Sequence, residues 1–294
     1  MDVGLAFPQM APGVDRATVL AWCRAVDEGP FSSISAGERI AFDNLDAFTY
    51  CTAAAATTER VRILFNVLVA PWHQPAALAK QLASLDVLSG GRVEVALGVG
   101  GRDQDYAALE VPLAGRFGRL DHVAGELRRL WSGGEVVDGA TVGPPPIQPG
   151  GPPLLCSGTG PRSLARAARW ADGLTGFTLG ADAAEVAATF ALADDAWAEA
   201  GRVERPRRLT GSFVVLGPDA EPKLQAFARR YLDVFGTEVA EWLADRMPLH
   251  TPDALAAFLV ALDQVGCEEV VLVPGDPDVD QVRRIAEVVA ATGL

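Results

Sequence analysis

Aromatic residues make up only 7% of this 294-residue chain, lysine occurs twice, histidine three times and cysteine four times. Each scarcity narrows the chemistry. Cys23, Cys51, Cys156 and Cys267 are scattered without a CxxC pair and sit inside apolar stretches, which points to buried free thiols and away from a disulfide framework. His73, His122 and His250 form no HxH, HxxxH or HExxH spacing, so no metal centre is expected. There is no GxSxG elbow and no GxxxxGKS/T phosphate loop, which leaves hydrolase and nucleoside-triphosphatase readings without a local signature. Both lysines, Lys80 and Lys223, fall in helical segments, which counts against a phosphate-binding barrel aldolase with a strand-end lysine. Basic residues number 25 against 38 acidic ones, and a net charge of −13 repels nucleic acid and anionic membranes. No apolar run reaches the length of a membrane span. The opening Met1-Asp-Val-Gly-Leu5 lacks a basic start leading into a long apolar stretch, so a cytoplasmic location is expected.

What the chain does have is a repeated alternation of short apolar runs with segments of helical period, the mark of βα units. Eight runs qualify as strands: Val3–Phe7, Ser32–Ala36, Val61–Val69, Val93–Gly98, Leu154–Ser157, Gly173–Gly176, Arg208–Leu216 and Glu269–Val273. Several are nearly continuous in small or branched apolar residues, as when both faces of a parallel strand are covered. Between them run Ala- and Leu-rich segments such as Ala76–Leu88, Ser163–Ala171 and Asp253–Val265, and Asp15 can cap a first helix. Residues 133–151 shift to Gly and Pro, with Val136-Val and Ala140-Thr-Val as short strands of a hairpin excursion. Eight units in this length predict one domain over residues 1–294, an α/β (β/α)8 TIM barrel, with a doubly wound open sheet as the rival.

In such a barrel, function is read just past the C-terminal ends of the strands. Gly98, Gly100 and Gly101 after the fourth strand allow close approach to the backbone, or serve barrel packing. Ser157-Gly158-Thr159-Gly160 after the fifth offers free amides for a phosphate, with Ser163 as a helix-start residue. Asn66 places an amide inside an apolar strand, where it needs a partner. Glu38 and Arg39 read by default as a salt-bridged surface pair, and His73 beside Trp72 as a structural residue or a general acid.

Thr58-Glu-Arg-Val-Arg-Ile through Pro71, Pro75 through Leu88-Ser-Gly-Gly-Arg92 and Leu97-Gly-Val-Gly100 together resemble the luciferase-like monooxygenase family. Arg116-Phe-Gly-Arg-Leu-Asp121 through Trp131, Pro152 through Gly160, Ala171-Asp-Gly173 and Thr251-Pro-Asp-Ala-Leu255 extend the resemblance over nearly the whole chain. The resemblance implies a (β/α)8 barrel that holds reduced FMN or the deazaflavin F420 at its mouth. Carried over by position, Gly37, Glu38, Asn66, Val67, Gly101 and Asp103 would neighbour the ring, and Gly158, Thr159 and Gly160 the phosphate. It also implies a non-prolyl cis peptide between Asn66 and Val67, at a bulge in the third strand. Two departures leave the acid/base residue unassigned. This chain has His73-Gln74-Pro75 where the family often has His-Pro, and Glu38-Arg39 where many members carry a His or Asp, so Glu38, His73 and Asp103 are only candidates for catalysis.

With F420 the resemblance implies hydride transfer to or from a small organic substrate. With FMN it implies oxygen insertion through a flavin peroxide. The compact chain and the Asn66-Val67 strand resemble the F420 branch, which is therefore preferred. A non-catalytic flavin-binding relative is the reading from another class. A homodimer is the candidate assembly.

Overall fold

The computed structural model describes all residues 1–294. Ten strands run in chain order as β1 (Asp2–Ala6), β2 (Ser33–Ala36), β3 (Arg62–Val69), β4 (Val93–Gly98), β5 (Glu135–Val137), β6 (Ala140–Thr141), β7 (Leu154–Cys156), β8 (Gly173–Thr175), β9 (Arg207–Val214) and β10 (Glu269–Pro274). Eight of them close a parallel barrel in the order β1-β10-β9-β8-β7-β4-β3-β2. β5 and β6 form a separate antiparallel hairpin. The eight barrel strands are the eight predicted runs, and the hairpin is the predicted excursion.

The helices are α1 (Arg16–Glu28), α2 (Ala47–Thr57), α3 (Pro75–Ser89), α4 (Asp103–Ala108), α5 (Arg116–Trp131) and α6 (Pro161–Ala167), followed by α7 (Ala183–Glu199), α8 (Ala220–Leu232), α9 (Thr237–Ala244), α10 (Pro252–Gln264) and α11 (Asp280–Thr292). Asp15 caps α1 by accepting the Thr18 amide at 2.8 Å, as its side chain predicts. The main core fills the space between barrel and helices with residues such as Trp22, Tyr50, Leu82, Leu127 and Phe190. A second cluster, including Phe213, Leu224, Phe227 and Ala240, lies under α8 and α9 and supports one side of the mouth.

The Leu88-Ser-Gly-Gly-Arg92 motif has a local physical basis. Gly90 and Gly91 take φ of 70° and 84° to end α3. The Arg92 guanidinium then donates to the carbonyls of Ser89, Val61 and Thr58 at 2.6–2.7 Å, tying the end of α2 and the start of β3 to α3. Asp86, fully buried in α3, accepts the amides of Ile147 and Gln148 at 2.8 and 3.0 Å and so fixes the excursion to the barrel.

In β3 the pairing with β4 slips between Asn66 and Leu68, and the Asn66-Val67 peptide is cis, as the resemblance implies. All four cysteines are free and buried. No helix is long and apolar enough to cross a membrane.

Candidate active site

Along each barrel strand alternate side chains point inward. At mid-height they form an apolar plug of Ala6, Leu64, Ala96, Leu155, Leu209 and Val271. Above the plug, at the C-terminal ends of the strands, lies a cavity of about 420 Å³. Its polar lining includes Gln9, Ser35, Asn66, Ser157 and Thr175, and its apolar walls include Met10, Phe177, Phe213, Tyr231 and Phe235.

Gly37 sits where β2 and β3 come closest. A Cβ there would stand 2.5 Å from the Asn66 carbonyl oxygen and 2.9 Å from the Val67 nitrogen, so the two backbones meet bare. Gln9 fixes this contact by donating from Nε2 to the Gly37 carbonyl at 3.1 Å and accepting the Gly37 amide at 3.0 Å. Next to it the Glu38 amide donates to Val67 O at 2.9 Å. Across the floor the Thr175 hydroxyl donates to Asn66 Oδ1 at 3.4 Å, the partner the strand amide requires.

Glu38 and Arg39 are not the surface pair expected by default. The Glu38 side chain is 5% exposed; its carboxylate accepts the Val69 amide at 2.6 Å and lies 2.8 Å from His73 Nε2. Arg39 is 7% exposed and lies with Nε 3.3 Å from Asp105 Oδ2, while Asp105 Oδ1 takes the amides of Ile40 and Ala41 at 3.2 and 2.7 Å. Adjacent residues in this extended loop diverge, so each finds its own distant partner. His73 therefore meets a carboxylate, yet it does not line the cavity.

A second cavity of about 280 Å³ shares Val67 and Ser157 with the first and runs between the ends of β4 and β7 and helices α5 and α6. Gly98, Gly100 and Gly158 line it. Gly98 is bare because a Cβ would meet Ser157 Oγ at 2.5 Å. Gly158 is bare for packing, since a Cβ would meet Ser163 Cβ at 2.6 Å, and its amide turns back to Cys156 Sγ at 3.2 Å. Ser163 is not the helix-start residue that was expected, because α6 begins at Pro161 with Gly160 as its cap. Gly160 is open, with nothing within 4 Å of a Cβ, and Thr159 borders a small hollow beside Phe177. Gly101 and Asp103 are exposed and line neither cavity; Asp103 opens α4.

Gln9, Ser35, Thr175, Phe177, Phe213 and Tyr231 also line the cavity and were not among the expected site residues. Ser35 and Thr175 carry a usable signal, being polar residues at or one position before the C-terminal end of a barrel strand. Tyr231, at the end of α8, carries none.

The chain matches the luciferase-like monooxygenase family over residues 4–293. An uncharacterised protein of Mycobacterium tuberculosis is 31% identical over 226 residues, which cover 74% of this chain and 75% of that protein. The structure of monooxygenase RslO1 from Streptomyces bottropensis is similar with a TM-score of 0.81 at 21% identity, covering 100% of both chains. An F420-dependent secondary alcohol dehydrogenase in complex with an F420-acetone adduct also gives 0.81, at 18% identity over 99% of each chain. At these identities the two structures bear on the fold alone. The match from Gly4 to Gly293, together with the closed parallel barrel and the bulged third strand, makes this chain a member of the luciferase-like monooxygenase family.

Proposed function

We propose that the protein is an F420-dependent oxidoreductase that moves a hydride between the deazaflavin and a small organic substrate in the barrel mouth. The observation that carries this reading is the composition of the 420 Å³ cavity, where a bare backbone surface and neutral polar side chains face apolar walls. Among its lining residues only Glu38 and Tyr231 are titratable, and the Glu38 carboxylate is already engaged by Val69 and His73. Such a lining suits orientation of a bound ring, with the reactive chemistry supplied by the cofactor.

The residues fit the group. The Gly37 contact with Asn66 and Val67 leaves no side chain between backbone and ligand, so a flat ring can lie against it. Asn66 and Thr175 offer amide and hydroxyl partners to a heterocycle edge. Phe177, Phe213 and Tyr231 keep water from the reacting face. Glu38, held by Val69 and His73, keeps the β2 loop against β3 and acts by positioning. The second cavity leads from Val67 past Gly98 and Gly100 to the Gly158-Thr159-Gly160 loop, whose Thr159 and Gly160 amides would receive the phosphate. When bound, the deazaflavin supplies or accepts the hydride.

The second reading is an FMN-dependent monooxygenase, favoured by membership of the luciferase-like monooxygenase family and by a bare Gly37 wall that would seat a flavin ring equally well. Titration of the protein with F420 and with FMN, followed by fluorescence quenching, separates the two. The expected result is an F420 Kd of about 1 μM or tighter, near −8 kcal/mol, with FMN weaker. Preferential binding of FMN with oxygen consumption selects the second reading, and binding of neither removes both.

A further inference from the structure

Three arginines gather on one side of the mouth in a chain whose net charge is −13. Arg39 follows β2, Arg102 follows β4 and Arg230 lies near the end of α8. Their guanidinium groups sit against a shared pair of rings. Arg39 is 4.4 Å from the Phe42 centroid and 5.6 Å from that of Tyr231; Arg102 is 4.8 Å from Tyr231, and Arg230 is 4.7 Å from Phe42. Arg102 also donates to the Tyr231 carbonyl at 3.0 Å, and Arg230 to the Met10 carbonyl at 2.6 Å. Tyr231 and Met10 both line the 420 Å³ cavity, so these cations are fastened to its wall.

Their charge is incompletely answered. Asp105 stands 3.3 Å from Arg39 but shares its carboxylate with two loop amides, and the exposed Asp43 comes only within 3.9 Å of Arg230. Arg39, although 7% exposed, keeps buried Nε and Nη1 atoms that have no hydrogen-bond partner. Burial and the like charge of Arg102 both push the Arg39 guanidinium below its ordinary value. Stacking on Phe42 and Tyr231 uses the faces of the guanidinium planes. Of the in-plane N–H groups, the ones that grip carboxylates and phosphates, Arg102 spends one on Tyr231 O and Arg230 one on Met10 O, while Arg39 Nε and Nη1 are left without a hydrogen-bond acceptor.

We propose that Arg39 and Arg102 form a subsite for an anionic group, a carboxylate or a phosphate, carried by the molecule that occupies the mouth beside Tyr231. The inference rests on the mouth being the reaction chamber and narrows its ligand to an acid with an apolar body. Two sources can bring that anion, an acidic substrate and the phosphate of the cofactor, the second of which would move the phosphate away from the Thr159 and Gly160 amides, and the arms below tell them apart.

Calorimetric titration of the cofactor-free protein with benzoate and with benzyl alcohol isolates the charge at nearly constant shape. Benzoate is expected to bind at least about ten-fold tighter, the scale of one hydrogen bond to a charged group, and the preference is expected to vanish in Arg39→Gln and in Arg102→Gln. FMN and riboflavin titrated against the same variants identify the source. An FMN preference that falls together with the benzoate preference assigns the subsite to the cofactor phosphate, and an FMN preference left intact assigns it to the substrate. Equal binding of benzoate and benzyl alcohol by the unaltered protein, or a benzoate preference surviving in both variants, overturns the proposal. Arg102→Gln leaves the Arg39–Asp105 contact in place, so it carries the test if Arg39→Gln loses its thermal transition. Selective benzoate binding by a protein that binds neither F420 nor FMN removes the cofactor reading and leaves the subsite standing.

Discussion

Replacing Gly37 with alanine adds one methyl group at the closest backbone approach in the mouth. The φ of Gly37 lies outside the left-handed region, so the substitution tests space and not backbone conformation. The new Cβ would stand 2.5 Å from Asn66 O, where ordinary contact begins at 3.4 Å, so relief requires a separation of 3.4 − 2.5 = 0.9 Å. The opposing atoms are backbone, and no rotamer change can supply it. Overpacking of this kind costs about 1–3 kcal/mol. At about 2 °C per kcal/mol for a chain of this size, the Tm falls by about 2–6 °C. The same displacement moves Asn66 and Val67 away from a ring lying on them, and cofactor affinity falls about ten-fold, with a larger loss in turnover as alignment degrades. Differential scanning fluorimetry and F420 or FMN quenching read the two effects separately. Gly180→Ala, which meets nothing within 4 Å and lines neither cavity, is the control and leaves the Tm unchanged. A lowered Tm with unchanged cofactor affinity refutes the placement of the ring against this wall. No change in either refutes the packing argument itself.

Two further predictions concern the scaffold. Asp27 accepts the amides of Glu59, Arg60 and Val61 at 2.9, 2.9 and 3.1 Å; burial opposes its charge, but the amides hold its carboxyl below the ordinary range. A depressed folded pKa gives stability that is present above the unfolded value of about 3.9 and is lost as pH falls through the folded one. Asp27→Asn therefore costs about 1 kcal/mol or more in urea denaturation at pH 7, and the gap to the unaltered protein narrows below about pH 4; a gap constant with pH contradicts the assignment. Burial raises all four thiols, Cys267 to about 12 and Cys51 well above its ordinary value. Ellman's reagent at pH 8 is expected to label the native protein only as fast as it unfolds, and rapid stoichiometric labelling contradicts that.

The barrel was legible in the sequence because its signal is periodic and local. All eight strands lie within two residues of the predicted runs, and the mismatches have tertiary causes. Val215 and Leu216 were expected to continue β9, but the Val215 amide turns to Leu249 O, a partner with no sequence signature. The helix expected over Ser163–Ala171 ends at Ala167, where Arg169 and Trp170 bond back to Arg166 and Ala167 in tighter turns. Of the residues that line the 420 Å³ cavity, Asn66 stands out in the sequence as a lone amide in an apolar strand and Ser157 as the start of a glycine-rich loop, whereas Gly37 and Val67 are indicated by the family resemblance alone. Glu38 and Arg39 were misread because their partners lie 35 and 66 positions away, at His73 and Asp105. Adjacency in sequence suggested a pair, and only the fold could separate them.

The same alternation that hides the long-range partners also orders the barrel interior. Taken two residues at a time, β3 reads Arg62, Leu64, Asn66; β4 reads Glu94, Ala96, Gly98; β9 reads Arg207, Leu209, Gly211; β10 reads Glu269, Val271, Val273. The N-terminal end of the interior is therefore charged, and the C-terminal end, where Asn66 meets Ser35, Ser157 and Thr175 from other strands, is polar too, with the apolar plug between them, so polarity alone does not locate a site. Satisfaction does. At the N-terminal end, Glu269 Oε1 accepts from Ser32 and Ser33 at 2.7 and 2.5 Å, and Oε2 accepts from Arg62 and Arg207, each at 2.6 Å. Those four bonds fill the acceptor capacity of the Glu269 carboxylate, and the neighbouring Glu94 Oε2 and Arg62 Nε, which make no hydrogen bond, stand 3.7 Å apart as an ion pair, so the charges at this end answer one another. At the C-terminal end, the Asn66 side chain has one protein partner, Thr175 at 3.4 Å, against the four bonds an amide can make. Asn66 is half-buried and lines the cavity, so its open hydrogen-bonding capacity faces the mouth and is available to a ligand. The unfilled capacity lies at the mouth, beside the bare Gly37 surface, and that is the physical reason to place the ligand there.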